Sequence, residues 1–204
     1  MSSISVAGDV SGAISIAAPS AAGSGVLTLP TGTDTLVGKA TTDTLTNKSI
    51  AATQLTGTIA ASVLPAGSVL QVVSAYFTSA TSTSSSSFVT TGLTASITPK
   101  FSTSKVLILI SCGSDNLAAN GQAVYTPYRN STNLSANNGF GVLYSGTARV
   151  QGFVSIIHLD SPATSSSTAY TLYFASTNGG SVQFNNSSAS GSQTASITLM
   201  EIQG

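Results

Sequence analysis

Val106-Leu107-Ile108-Leu109-Ile110 is the stretch of sequence that decides the fold. All five side chains are large and apolar, and three of them are β-branched, which favours a strand over a helix. Successive side chains of a strand point to opposite faces of the sheet, so this run is apolar on both faces. It therefore predicts a strand in the centre of a sheet rather than one at its edge.

Further apolar segments separated by turn-forming residues lie on both sides of this strand, after Gly67. The predicted strands are 69–77, 88–98, 105–112, 122–129, 140–144, 149–159, 169–176, 181–185 and 194–202. Tyr170, Leu172 and Phe174 alternate with smaller residues, which is typical of a strand with one buried face, and Asn178-Gly179-Gly180 predicts a tight hairpin. Eight or nine strands at this spacing predict an all-β, jelly-roll-like sandwich of two sheets.

The composition supports an ordered β protein that carries little charge. Hydrophobic residues make up 41% of the chain and the mean hydropathy is +0.32, which argues against disorder. Charged residues make up only 6% and cancel to a net charge of zero, so neither nucleic acid nor an anionic membrane is an expected partner. No apolar run is long enough to cross a membrane, and Met1-Ser2-Ser3-Ile4 does not begin a secretory signal.

The first 67 residues follow a different pattern, with short apolar segments between glycines. All thirteen aromatic residues lie between Tyr76 and Phe184, so this leading part has little bulky apolar surface with which to fold alone. We expect 1–67 to be an extended attachment and trimerisation region with intertwined β segments, and 68–204 to be the sandwich. The residues expected to make the attachment and trimer contacts are Leu27, Leu29, Leu36, Leu45 and Ile50.

Catalytic and metal-binding patterns are sparse, and we expect neither an enzyme nor a cofactor. The single histidine, His158, lies in a predicted strand. A catalytic Ser-His-Asp triad that uses His158 with Asp115 or Asp160 remains an alternative, although no sequence motif supports it. One histidine, one cysteine and scattered acids do not form a metal-ligand cluster. Cys112 ends an apolar strand and is expected to be buried, and a single cysteine excludes an internal disulfide.

A ligand-binding surface is the better-supported chemistry. The segment around Tyr125 and Tyr128 combines aromatic rings with a guanidinium and side-chain amides, which are groups that stack on sugar rings and bond hydroxyls. The alternative is that these tyrosines pack in the core or between subunits and that Arg129 is a solvated edge charge. The candidate receptor-binding residues are Tyr125, Tyr128, Arg129, Asn130, Phe140, Tyr144 and Arg149.

Five segments of the chain resemble those of a known protein family. Thr42-Asp43-Thr44-Leu45-Thr46-Asn47-Lys48-Ser49-Ile50 resembles a TDTLTNK segment that recurs in tail-fibre and related structural proteins of tailed bacteriophages, notably in phages of cyanobacteria and marine bacteria. The second half is similar to a carboxy-terminal fibre domain in four segments: 96–108, 128–134, 159–162 and 197–202. The resemblance implies a homotrimer in the virion, made in the host cytoplasm, whose amino-terminal part docks on tail, baseplate or capsid-vertex proteins. Its distal domain would contact a host surface glycan.

We therefore expect a non-enzymatic tail fibre that mediates adhesion to the host cell. The short chain leaves a capsid cement or decoration protein, or another small virion appendage, as an alternative. A glycan-cleaving enzyme is a third, weaker hypothesis, since it needs two carboxylates about 5 to 10 Å apart. The sandwich offers only Asp115, Asp160 and Glu201 for that role.

Overall fold

The computed structural model describes residues 3–7, 13–17, 31, 49–51, 53, 56–117, 119–136, 138–185 and 193–204. The chain divides into two compact units, Met1–Thr56 and Gly57–Gly204. The second unit begins about ten residues before the predicted sandwich domain. The predicted division of roles at residue 67, between attachment and receptor binding, stays a prediction.

The described strands of the first unit form a two-stranded antiparallel pair, β1 (Ser3–Ala7) with β2 (Ala13–Ala17). Both strands are five residues long, as expected for short segments between turn formers. Ile50, 45% exposed, is the one predicted attachment residue in the described part of the chain. Leu27, Leu29, Leu36 and Leu45 lie outside it. Intertwining with other copies stays a prediction.

The second unit is built from strands, preceded by a short 3-10 turn at Ala61–Val63. All nine predicted strands are present, with ends within four residues of the prediction. The strands are β3 (Val69–Phe77), β4 (Thr81–Thr83), β5 (Val89–Ile97), β6 (Lys105–Asn116), β7 (Gln122–Arg129), β8 (Thr132–Asn133), β9 (Gly141–Tyr144), β10 (Val150–Asp160), β11 (Thr168–Ser176), β12 (Val182–Phe184) and β13 (Ala195–Ile202). Two short strands, β4 and β8, were not predicted.

Eight of these strands make two antiparallel four-stranded sheets. One sheet has the order β3–β13–β6–β10, and the other has the order β5–β11–β7–β9. When these eight strands are numbered one to eight in chain order, the two sheets have the orders 1-8-3-6 and 2-7-4-5. This is the jelly-roll arrangement. The short strands extend the first sheet through β12 and β4 and the second through β8. The predicted sandwich is confirmed.

Strand β6 is central, as its apolar run predicts, because β13 pairs on one side of it and β10 on the other. Val106, Ile108 and Ile110 point between the sheets and are at most 2% exposed. Leu107 and Leu109 point to the outer face and are half-buried. Both faces of β6 are therefore apolar.

The largest side chains in the core between the sheets are aromatic residues of the later strands. Tyr170, Leu172 and Phe174 of β11 are fully buried, which confirms the predicted one-sided strand. Phe174 stacks on Tyr125 with ring centroids 5.9 Å apart, and Phe184 lies beside it at 6.4 Å. Burial of each such side chain contributes roughly 1.5–3 kcal/mol to folding, so this cluster anchors the two sheets to each other.

The prediction of a tight hairpin at Asn178-Gly179-Gly180 is wrong. These residues do form a turn, with Gly179 at φ +74°, but β11 before it and β12 after it belong to different sheets. The turn is thus a corner of the sandwich. Local residue preferences identify the turn but not the sheet that each flanking strand joins.

Gly92 produces a bulge that affects the outer surface of the second sheet. Its φ is +88°, and the pairing of β5 with β11 shifts register opposite it, between Thr171 and Tyr173. A Cβ at this position would lie 2.8 Å from the Phe77 ring, so only glycine fits. The bulge places Thr90 opposite Tyr173.

Cys112 is 1% exposed, as expected, and burial raises the pKa of its thiol to about 12 from 9.0. Only the thiolate is nucleophilic, so we expect the native protein to react with a thiol reagent at pH 8 about a thousandfold more slowly than the unfolded chain. Absorbance of the released thiol product with and without denaturant measures the ratio. Equal rates would show that the strand opens readily.

Candidate functional site

The outer face of the β5–β11–β7 sheet gathers aromatic rings and hydroxyls. In the register, Thr94 lies opposite Thr171, and Thr171 lies opposite Tyr128. Tyr173 lies opposite Thr126, so Tyr173 is the diagonal neighbour of Tyr128 on this face. Diagonal positions in an antiparallel pair are close enough for aromatic side chains to meet.

The two tyrosine rings stack, with centroids 4.0 Å apart and an interplanar angle of 27°. Phe88 meets Tyr128 edge-on at 6.3 Å and 63°. We call Phe88, Tyr128 and Tyr173 the aromatic platform. All three side chains are half-buried, and within the described chain neither tyrosine hydroxyl has a hydrogen-bond partner. Both hydroxyls are therefore available to a ligand.

Threonine hydroxyls flank the platform. The Thr94 and Thr171 hydroxyls are 2.8 Å apart and share a hydrogen bond, while the Thr94 hydroxyl also donates to the Tyr170 carbonyl at 3.2 Å. Thr90 is exposed opposite Tyr173. The strands of this sheet carry a single charged residue, Arg129. The face is polar without being charged.

Arg129 itself is half-buried and is bound by an acid of the other sheet. Its Nη1 donates to both carboxylate oxygens of Asp160, at 2.8 and 2.9 Å, and to the Ser161 carbonyl at 3.2 Å. The Tyr170 hydroxyl donates to the same carboxylate at 2.7 Å. Burial, followed by this bond to Asp160, raises the pKa of Tyr170. The guanidinium thus ties β7 to the end of β10, across the two sheets, and we assign it a structural role.

Arg149 is engaged in a similar way. Its Nε donates to both oxygens of the buried Asp115, at 3.0 and 2.9 Å, and its Nη2 also bonds that carboxylate. Gln151 adds a bond at 3.2 Å. The bond to Asp115 raises the pKa of Arg149, so the cation is stabilised although nearly half of its side chain is exposed.

Two other residues from the predicted set have structural positions. Tyr125 is fully buried, and its hydroxyl donates to Ser114 at 2.8 Å, so its side chain is outside any surface site. Asn130 has φ +53°, and its backbone amide and side-chain oxygen both bond Ala169. This residue holds the turn after β7 against the start of β11.

Phe140 and Tyr144 are exposed but do not approach the aromatic platform. Phe140 is 39% exposed and lies 4.9 Å from the His158 ring. Tyr144 is 56% exposed and pairs with Gln122, six residues along β7 from Tyr128, or about 20 Å at strand spacing. The predicted residues therefore do not converge on one site, and only Tyr128 belongs to the platform.

Phe88 and Tyr173 were missed as candidate binding residues. Tyr173 falls at the odd position between the buried Leu172 and Phe174, so alternation along β11 already places it on the outer face. Its proximity to Tyr128 depends on the pairing of β11 with β7, which the sequence pattern does not specify. Phe88 precedes β5 and depends on the bulge at Gly92 in the same way.

All three acids of the sandwich are occupied by internal partners. Asp115 bonds Arg149, Asp160 bonds Arg129, and Glu201 accepts from Ser104 and the Lys100 amide, both at 2.7 Å. Among the described residues, no group of three or more His, Cys, Asp or Glu has the arrangement that would hold a metal ion. These carboxylates serve the fold.

No protein-family model matches this chain, and no curated protein matches it either. Among the residues that the structure describes, no helix has the length and apolarity that a membrane span requires.

Proposed function

We propose that this protein is a non-enzymatic structural protein of a phage virion, a homotrimeric tail fibre whose sandwich domain adheres to a polysaccharide on the host cell. The observation that carries the proposal is the aromatic platform on an uncharged, hydroxyl-rich outer face. The resemblance of residues 42–50 to tail-fibre segments supports the virion assignment. Residues 1–67 would then attach the fibre to the tail, baseplate or capsid vertex.

The chemistry of the platform matches that of a neutral sugar chain. Pyranose rings present C–H groups that pack on aromatic rings, and their hydroxyls bond tyrosine and threonine oxygens. With no charge on this face, attraction does not depend on ionic strength. A shallow site binds weakly, but three copies in a fibre and several fibres in a particle raise the effective concentration.

The double variant Tyr128→Ala/Tyr173→Ala tests this proposal. Each ring contributes roughly 1 kcal/mol of contact, so we expect the affinity of one site to fall about 30-fold, and multivalent adhesion to fall further. Binding of the labelled full chain to susceptible cells, and to their purified surface polysaccharide, measures the loss.

The matched control is Tyr144→Ala, which removes an exposed tyrosine from the same sheet far from the platform. It should bind as the unchanged protein does, and binding should vary little with salt. Equal loss in both variants, or a failure of intact fibres to bind any susceptible host, would contradict the proposal.

Large exposed apolar residues on the opposite sheet, such as Phe153 at 80%, favour one alternative. A capsid cement protein would lay such a surface on the shell of the particle. Electron microscopy of virions with a labelled chain separates the two, because label on the capsid faces supports cement and label on the tail supports the fibre.

A further inference from the structure

The outer face of the β3–β13–β6–β10 sheet is unlike the face that carries the platform. Its two edge strands expose six large apolar side chains, which are between 47% and 80% accessible. They are Val69, Val72 and Tyr76 of β3 and Phe153, Ile157 and Leu159 of β10. In each strand these positions lie on the side away from the core.

The register joins these residues into a continuous surface across all four strands. Residues of β6 and β13, which are half-buried except for the exposed Ser111, lie between the two edges. The three rows, read from β10 to β3, are Leu159-Leu107-Met200-Val72, Ile157-Leu109-Thr198-Ser74 and Ser155-Ser111-Ser196-Tyr76. A hydrogen bond of 2.9 Å between the Ser74 and Thr198 hydroxyls confirms that neighbouring strands present these positions together. We call these rows, with Phe153, the apolar face.

Two properties make the apolar face complementary to itself. None of the residues in the three rows is charged, and the exposed Lys105, which lies beside Ile202 and Val69 in the next row, is at the end of the face. The three rows of two copies can therefore meet without opposing like charges. Its third row is rich in serine, and a hydroxyl both donates and accepts hydrogen bonds, so serines from two identical faces can bond each other.

The extent of the apolar face also fits association between copies. Four strands by seven residues cover about 19 Å by 23 Å, or roughly 450 Å². A stable complex buries about 800 Å² on each partner, so the face supplies about half. Ile59 and Val63, 58% and 70% exposed, lie in the segment that leads into β3 and can supply more. Backbone bonds join Gly67 and Ser68, at the end of this segment, to Gln203, which follows β13.

We infer that copies of this chain meet through the apolar face, which leaves the aromatic platform on the opposite sheet turned away from the contact. The inference rests on the proposed assembly of identical chains and names a surface through which they meet. Two such faces that meet directly make a two-fold contact, whereas a trimer brings three of them around one axis. It does not depend on which ligand the platform binds.

Cross-linking provides a positive test in the full chain. Ser155→Cys places a thiol on the apolar face, in the edge strand β10 between Phe153 and Ile157, while Thr90→Cys places one on the opposite outer face. The native Cys112 is buried, so the new thiol is the reactive one. A short bis-maleimide should link chains of Ser155→Cys and leave Thr90→Cys unlinked. The inference would be overturned if both variants were linked equally. It would also be overturned if the Ser155→Cys chain were monomeric and its thiol did not react with the reagent.

A matched pair of valines tests the energetics. Val72 on the apolar face and Val142 on the other sheet are both 54% exposed and both lie in edge strands. Val72→Asp should weaken assembly roughly 100-fold by sedimentation, because it brings carboxylates into an apolar contact, while Val142→Asp should leave it unchanged. If circular dichroism shows that either variant is unfolded, Val72→Ser and Val142→Ser replace the pair.

The outcomes separate this inference from the proposed function. The inference about the contact surface would be overturned if the full chain were monomeric at high concentration, or if the two valine changes had equal effects on assembly. Either result would overturn it even if the protein still bound host cells. Intact assemblies that bind no host polysaccharide would count against the adhesion function and leave the contact surface standing.

Discussion

Replacing Glu201 with alanine is expected to lower the free energy of unfolding by about 4 kcal/mol. The carboxylate is fully buried in β13. It accepts hydrogen bonds from Gln71 Nε2 at 2.6 Å, and from Ser104 Oγ and the Lys100 amide at 2.7 Å each. Alanine would leave these donors without their acceptor in the interior. The midpoint of urea denaturation measures the change.

Thr198→Ala is the control, because it removes a partly exposed side chain from the same strand and should cost less than 1 kcal/mol. If the free energy of unfolding of Glu201→Ala lies within 1 kcal/mol of that of the unchanged protein, water replaces the carboxylate as the acceptor. That result would contradict the conclusion that the carboxylate and its donors are closed to solvent.

The same carboxylate should make stability depend on acid. Burial alone would raise the pKa of Glu201, but bonds from Gln71, Ser104 and the amides of Lys100 and Phe101 outweigh it and hold the pKa below its ordinary 4.5. Because the folded pKa is the lower one, this stabilisation is complete above pH 4.5 and is lost as the pH falls through the folded value. Glu201→Gln cannot titrate, so its unfolding free energy should vary less with pH below 4.5.

Much of the fold follows from local patterns in the sequence. Alternation predicts the inward position of Tyr170, Leu172 and Phe174, and an unbroken apolar run predicts that β6 is central. The missed strands β4 and β8 are three and two residues long, too short for a period to be recognised. The turn at Gly179 was predicted as a hairpin, and not as a corner between sheets, because the strands that pair with β11 and β12 are distant in sequence.

The site was less predictable, because a residue's role depends on the face it occupies and on what lies across the sandwich. Tyr125 and Tyr128 are three residues apart, so strand alternation puts them on opposite faces, one in the core and one in the platform. Arg129 meets Asp160, which is 31 residues away in the chain. Only the assembled sheets reveal that this guanidinium is already engaged.

The pairing of charges explains how an almost neutral surface arises from this chain. All three acids of the second unit are buried, and each is held by basic side chains, hydroxyls or amides. Negative charge is therefore used within the fold, and apart from the exposed Lys100, Lys105 and Arg149 the surface differs in hydroxyl, aromatic and aliphatic content. This division fits the two proposed contacts, one with a neutral glycan and one with a second copy.

Asp160→Ala is expected to cost about 3 kcal/mol of unfolding free energy, because it leaves Arg129 and the Tyr170 hydroxyl without their shared acceptor. Arg129→Ala should cost a similar amount by leaving the carboxylate, 7% exposed, with a single donor. Since both changes break one contact, the double variant should cost about 2 kcal/mol less than their sum. Denaturation of the four proteins completes the cycle.

Ser161→Ala is the control, because Ser161 contributes only its backbone carbonyl to Arg129 and should change stability by less than about 0.5 kcal/mol. The cycle also decides between the two roles considered for Arg129. A structural tie predicts that Arg129→Ala lowers stability while the folded protein still binds host cells. If the variant instead keeps its stability and loses cell binding, Arg129 contacts the receptor, and the candidate site must extend from the platform to the end of β7.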